Sequence, residues 1–269
     1  MRFVLSTSLV VLMMVVVVSP ISAQTTPVPW GEAEPILVTS PTSGEPNALW
    51  SDGGRIWHAV EMSNQSWSAP VPIARGELRS QGVTFGPDGT LHVGYASEFQ
   101  GNWEGFYIKL PRGGSWTLPR NISHTTWETR EVALAVSPDE TIHTTWADST
   151  PTGWVIYSGE ECLVEALDHF CGAPVPSSQG GRLPDVIAES EGNWVTWVAN
   201  GLILLHRPGV NLAYHVASTP PISNLRLEKR HEGGVIVFWA VFSREVWVRE
   251  GDLVMGEQLS PRSWIPLIR

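Results

Sequence analysis

Short apolar runs separated by polar turns dominate the chain, and one order of runs recurs. An apolar run, a turn, and a second run closed by an aromatic residue appear in "ILVTSPTSGEPNALW", "GVTFGPDGTLHVGY", "VALAVSPDETIHTTW", "DVIAESEGNWVTW" and "LRLEKRHEGGVIVFW". The turns carry Gly, Asp, Asn and Ser, which accept tight-turn backbone angles, so each unit predicts a β-hairpin. The closing aromatics are Trp50, Tyr95, Trp146, Trp197 and Trp239, spaced 45, 51, 51 and 42 residues apart. A third run follows, clearest in "GFYIKL" (105–110), "WVIYSG" (154–159) and "LILLH" (202–206). A fourth is visible in "SWSAPVPIA" (66–74), "SWTLPRNIS" (115–123) and "SWIPLI" (263–268).

Self-similarity at a period of 40–50 residues, with four short strands per unit, is the pattern of blades arranged around an axis. A lone four-stranded sheet cannot cover both of its faces, whereas radial stacking covers each face with a neighbour and leaves only short edges. The fold expected is therefore an all-β propeller of four-stranded antiparallel blades. Five blades is the count, with a sixth open if the N-terminal segment or the long third unit hides one. An aromatic anchor in each wedge between blades accounts for many of the 14 Trp. The segment "TTPVPWGEAE" is expected to join the blade that ends at "SWIPLI" and close the ring.

The hairpins "TLHVGY" and "TIHTTW" followed by "SW(S/T)xP" resemble the repeats of secreted bacterial sialidase-like (BNR-type) propellers over residues 34–269. That resemblance implies a glycan ligand and, in its enzymatic members, an exo-sialidase-like glycoside hydrolase with three arginines clasping a carboxylate. The chain lacks an intact Ser-x-Asp-x-Gly-x-Thr-Trp turn. It also lacks the family's Arg-Ile-Pro motif near the first inner strand, the nearest string being "GRLPD" at 181–185.

The first 23 residues change the setting of this fold. Arg2, an apolar run over 9–18, and Ser22 and Ala23 before Gln24 have the layout of a secretory signal, and the run is shorter than the roughly 20 residues of a spanning helix. The expectation is a signal peptide over 1–23 and one exported propeller domain over 24–269, extracellular or in the cell envelope. A formal net charge of −10 argues against nucleic acid as a partner. Cys162 and Cys171 are the only cysteines, and in an oxidising compartment they are expected to bridge and pin one local loop.

Candidate chemistry gathers where an outer strand hands over to the next inner strand. Arg79, Arg130 and Arg182 recur there, with Arg226 in the fifth unit, and the acids Glu128, Glu131 and Asp185 share the same segments. Convergent guanidiniums would clamp a carboxylate or sulfate. The plainer alternative is that each arginine pairs locally with Glu77, Glu131 or Asp185. Trp103 and Trp127 lie outside the repeated strand positions and suit stacking on a sugar ring. His92 and His143 occupy matched repeat positions, as a packing role predicts, and Asp88 and Asp139 read as turn formers. No metal or cofactor is expected, and no catalytic residue is assigned. The residues point to a non-catalytic propeller that binds a glycan or another extracellular ligand on its loop face. A sialidase-like hydrolase and an extracellular protein-interaction scaffold are the rivals.

Overall fold

A computed structural model of the chain describes residues 28–31, 33–164, 167–189, 192–218, 222–229, 235–241 and 245–251. These residues form strands and turns with no helix among them, in five sheets whose strands follow chain order and pair antiparallel. The protein is a five-bladed β-propeller.

Blade 1 comprises β1 (Ile36–Thr39), β2 (Pro46–Asp52), β3 (Arg55–Val60) and β4 (Val71–Arg75). Blade 2 comprises β5 (Glu77–Phe85), β6 (Leu91–Phe99), β7 (Asn102–Leu110) and β8 (Arg120–Asn121). Blade 3 comprises β9 (Glu128–Val136), β10 (Ile142–Thr150), β11 (Gly153–Val164) and β12 (Leu167–Pro174). Blade 4 comprises β13 (Arg182–Glu189), β14 (Gly192–Ala199), β15 (Leu202–His206) and β16 (Ala213–Ser218). In blade 5, β17 (Ile222–Lys229), β18 (Val235–Val241) and β19 (Glu245–Gly251) are described.

The five aromatic anchors stand on the second strand of successive blades, and all are at least 95% buried. Each fills the wedge against the preceding blade. Tyr95 packs with Leu49 and Ile56 of blade 1, Trp146 with Tyr107 and Ile122 of blade 2, and Trp197 with Ala133 and Ile156 of blade 3. Trp239 packs with Ile203 and Leu205 of blade 4. Trp50 meets Trp30 edge-on at 6.1 Å, so the N-terminal segment occupies the preceding position for blade 1. The expected partner of that segment, 263–268, lies outside the described residues, as does the signal segment 1–23.

The wedge geometry fixes small residues as well as large ones. A Cβ on Gly172 of β12 would fall 2.3 Å from the Trp146 ring, so the third anchor can lie flat only because that neighbour has no side chain. The matched histidines serve the same packing. His92 Nδ1 lies 2.7 Å from the Tyr107 hydroxyl, and His143 is buried on β10. Asp88 closes its turn by accepting the Thr90 N–H at 2.8 Å, and Asp139 does so with Ser137 and Thr141.

Two expectations change. The segment 161–171 is not a loop. β11 and β12 form one long hairpin in which Cys162 lies opposite His169 and Cys171 opposite Glu160. The Cys162 side chain lies outside the described residues. The fourth strand of blade 2 also shrinks to Arg120–Asn121, because Pro119 offers no N–H to a ladder, although single bonds from Thr117 N to Lys109 O at 2.9 Å and from Ile122 N to Gly105 O at 2.8 Å keep the segment against β7.

Candidate functional site

Because each blade is an antiparallel meander, the crossovers between blades and the β6–β7 and β10–β11 turns emerge on one face. The inner strands do not enter that face as regular ladders. Register breaks fall between Leu78 and Val83 in β5, at Glu131–Val132 in β9 and at Leu183–Pro184 in β13. Glu131 and Leu183 sit there at φ of 60° and 53°, in the left-handed region. Such bulges bend a strand and re-aim its side chains.

The re-aimed Glu131 is the centre of the first cluster. It is buried, and Arg182 of blade 4 donates to it through Nε at 2.9 Å and Nη2 at 2.6 Å. The Leu183 N–H adds a bond of 2.7 Å, and Arg79 of blade 2 pairs with the same carboxylate at 3.1 Å. Burial acts to raise the Glu131 pKa, but the Arg182 hydrogen bonds, the Arg79 charge and the Leu183 N–H outweigh it and hold the group below its usual range. Arg182 also lies over the Trp154 ring at 4.1 Å.

Arg130 points elsewhere. It donates to Glu128 at 2.8 Å and to Glu77 at 3.0 Å, and its guanidinium stacks 3.4 Å over the centre of the Trp103 ring. The three arginines therefore form two separate carboxylate-paired arrays, not one open clamp. Asp185 belongs to neither. It is fully buried in the wall of an axial cavity of about 400 Å³, accepting the Val186 N–H at 2.9 Å and the Leu227 N–H of blade 5 at 2.6 Å. Burial pushes its pKa up to about 7 against those two bonds and the Arg226 charge. Across the axis, Gln81 Nε2 of blade 2 donates to Leu225 O of blade 5 at 2.6 Å.

Trp127 lines a different opening. A cleft of about 580 Å³ lies over blade 3 beside the crossover from blade 2, with Trp127 and Tyr157 as its aromatic surfaces. Trp127 is 37% exposed. Thr150 and Thr152 border the cleft from the β10–β11 turn, and Ser177 and Gln179 from the next crossover. Asn102 holds the Trp127 segment, its amide reaching Glu104 Oε1 at 3.0 Å and Trp127 O at 3.0 Å.

Sequence reasoning passed over the acid on the Tyr157 face of blade 3. Asp148 shares that face with Tyr157 and Trp146, being two residues along β10 from the pair Trp146↔Tyr157. Its Oδ1 accepts the Thr129 hydroxyl at 2.6 Å, while Oδ2 has no hydrogen-bond partner among the described residues. Burial raises its pKa to about 6, the Thr129, Trp146 and Thr125 groups opposing and the Glu104 charge reinforcing the shift. Trp146 Nε1 nonetheless stands outside hydrogen-bonding geometry with any acceptor among the described residues. An acid within the apolar run "TTWAD" was the available signal. Tyr157 both stacks on Trp146 at 5.9 Å and faces the cleft.

Among the described residues no cluster of three His, Cys, Asp or Glu could hold a metal ion, and no helix is long and apolar enough to cross a membrane. No family model and no curated protein matches the sequence. Solved structures do. An endo-arabinase from Bacteroides thetaiotaomicron superposes with a TM-score of 0.53 at 10% identity, over 84% of this chain and 96% of that one. An α-L-arabinofuranosidase of Fusarium graminearum, solved with an iminosugar inhibitor, gives 0.55 at 9% identity, over 77% of this chain and 71% of that one. Identities this low make the likeness one of fold.

Proposed function

We propose that this chain is an exported propeller that recognises a carbohydrate chain on its crossover face, with the cleft beneath Trp127 as the binding site. The observation that carries the reading is the pairing of two aromatic surfaces with hydroxyl and amide side chains around one opening. An aromatic face complements the C–H patch of a pyranose or furanose, and the polar rim fixes its orientation. The structures of similar fold whose names state an activity on arabinan-type substrates lend support. Export through a signal at 1–23 and a Cys162–Cys171 bridge belong to the same proposal. Titration of the mature chain with an oligosaccharide panel, followed by calorimetry and tryptophan fluorescence, tests it. Binding is expected in the wild type and is expected to fall about fivefold or more in Trp127→Ala, as stacking contacts of this kind are worth on the order of 1 kcal/mol. Wild-type protein that binds no member of the panel refutes the reading.

A hydrolase reading draws on Asp148 and Asp185, whose raised pKa values suit proton donors near neutral pH, and on the same fold likeness. Release of reducing ends from arabinan or xylan, lost in Asp148→Asn or Asp185→Asn variants that stay folded, would establish it. A sialidase version further requires arginines freed from Glu131, Glu77 and Glu128 by substrate.

A further inference from the structure

We infer that the cleft under Trp127 takes an uncharged glycan segment and discriminates against acidic sugars such as sialic or uronic acids. The inference rests on the proposed carbohydrate reading and adds the chemical class of the ligand. Among the described residues, none of those lining the cleft is charged. A sugar carboxylate entering it would lose water and meet no cation, which is the costly way to bury a charge.

The surroundings strengthen the selection. The guanidiniums that could have served an anion are committed to protein carboxylates, Arg130 to Glu77 and Glu128, and Arg79 and Arg182 to Glu131. Asp148, on the same face of blade 3 as Tyr157, and Glu104 of blade 2 are both buried acids. The charge of Asp148 is felt at the Tyr157 phenol, whose pKa is raised by burial and then by that charge. An anion stacked beside Tyr157 feels the same repulsion. An uncharged sugar instead gains ring contact with Trp127 and hydrogen bonds from Ser177 and Gln179, with no charge to desolvate. Ser178 serves as wall, since its hydroxyl is already bonded to the N–H and the carbonyl of Ile156, each at 3.1 Å.

The test is a matched titration of the mature chain at low ionic strength with neutral arabino-, xylo- and gluco-oligosaccharides and with sialyllactose and oligogalacturonate. Neutral members are expected to bind on the order of tenfold or more tighter than acidic ones. Trp127→Ala weakens binding of the neutral members about fivefold or more. Thr152→Lys, on the exposed turn, places a cation at the rim and is expected to narrow the gap for acidic sugars severalfold while leaving thermal stability unchanged. Acidic sugars that bind as tightly as neutral ones overturn the inference, and if that binding is lost in Arg130→Ala the carbohydrate reading itself survives at a different site. A chain that binds neither class overturns both.

Discussion

Replacing Glu131 by Gln keeps the shape of the side chain but removes the charge that two neighbouring blades converge on. In the wild type the carboxylate accepts three N–H groups from Arg182 and Leu183, at 2.9, 2.6 and 2.7 Å, and pairs with Arg79 at 3.1 Å. Gln offers one acceptor oxygen and turns an NH2 donor towards a guanidinium. Breaking a buried ion pair by removing one partner costs about 3–5 kcal/mol. The arginine side chains are 43% and 41% exposed, so water recovers part of that loss, and about 2–3 kcal/mol is expected. For a domain of this size such a loss lowers Tm by roughly 5–10 °C. The sign of the pH dependence is fixed by the depressed pKa of Glu131. Its contribution is fully present above the unfolded value of 4.5 and is lost as pH falls through the lower folded value. The gap between wild type and Glu131→Gln in urea unfolding should therefore be constant near neutrality and close in acid. A double-mutant cycle with Arg182→Gln should return a coupling of about 1–3 kcal/mol. A loss below about 0.5 kcal/mol at pH 7, or a coupling of zero, would refute the clasp as a stabilising element.

Two further perturbations probe the axis and the wedges. Asp185 carries a folded pKa near 7 against 3.8, so the folded state holds the extra proton, and stability should fall by about 3 kcal/mol as pH rises from 4 to 7, with the remainder lost above it. Asp185→Asn should flatten that fall in denaturant titrations across pH, and an unchanged slope would show that Asp185 titrates normally. Gly172→Ala should destabilise the chain by about 2 kcal/mol or more and shift tryptophan emission, because its methyl would lie 2.3 Å from the Trp146 ring. Unfolding curves superposable on wild type would contradict that contact.

The fold was legible because a propeller must repeat its internal chemistry, and repetition survives in sequence where a single motif does not. The anchors from Trp50 to Trp239 each fill the same wedge, and "LILLH" became β15 without adjustment. Legibility failed where local composition competed with the sheet. "ECLVEALDHFC" was read as a loop because two cysteines drew attention to closure, yet it continues the β11–β12 ladder. At the face, the recurrence of Arg79, Arg130 and Arg182 at the head of inner strands was visible, and so were their acidic neighbours. The sharing was not. That Glu131 receives two of the arginines while Arg130 turns to Trp103 depends on left-handed backbone at Glu131 and Leu183, positions with no glycine to announce it. Asp148 escaped because its partner, Thr129, lies 19 residues away and meets it only through the strand pairing of β9 with β10.

Residues 129–131 of β9 send three consecutive side chains in three directions: Thr129 to Asp148 on the Tyr157 face, Arg130 to Trp103 on blade 2, and Glu131 to Arg182 on blade 4. A regular strand alternates between two faces only, so the third direction exists because of the bulge. The left-handed conformation at Glu131 carries a cost that the four contacts of its carboxylate offset. A binding surface built from aromatic side chains needs a support that does not yield when a ligand presses on it. The clasp is such a support in form, since one carboxylate of blade 3 ties Arg79 of blade 2 and Arg182 of blade 4 together on the crossover side of the ring.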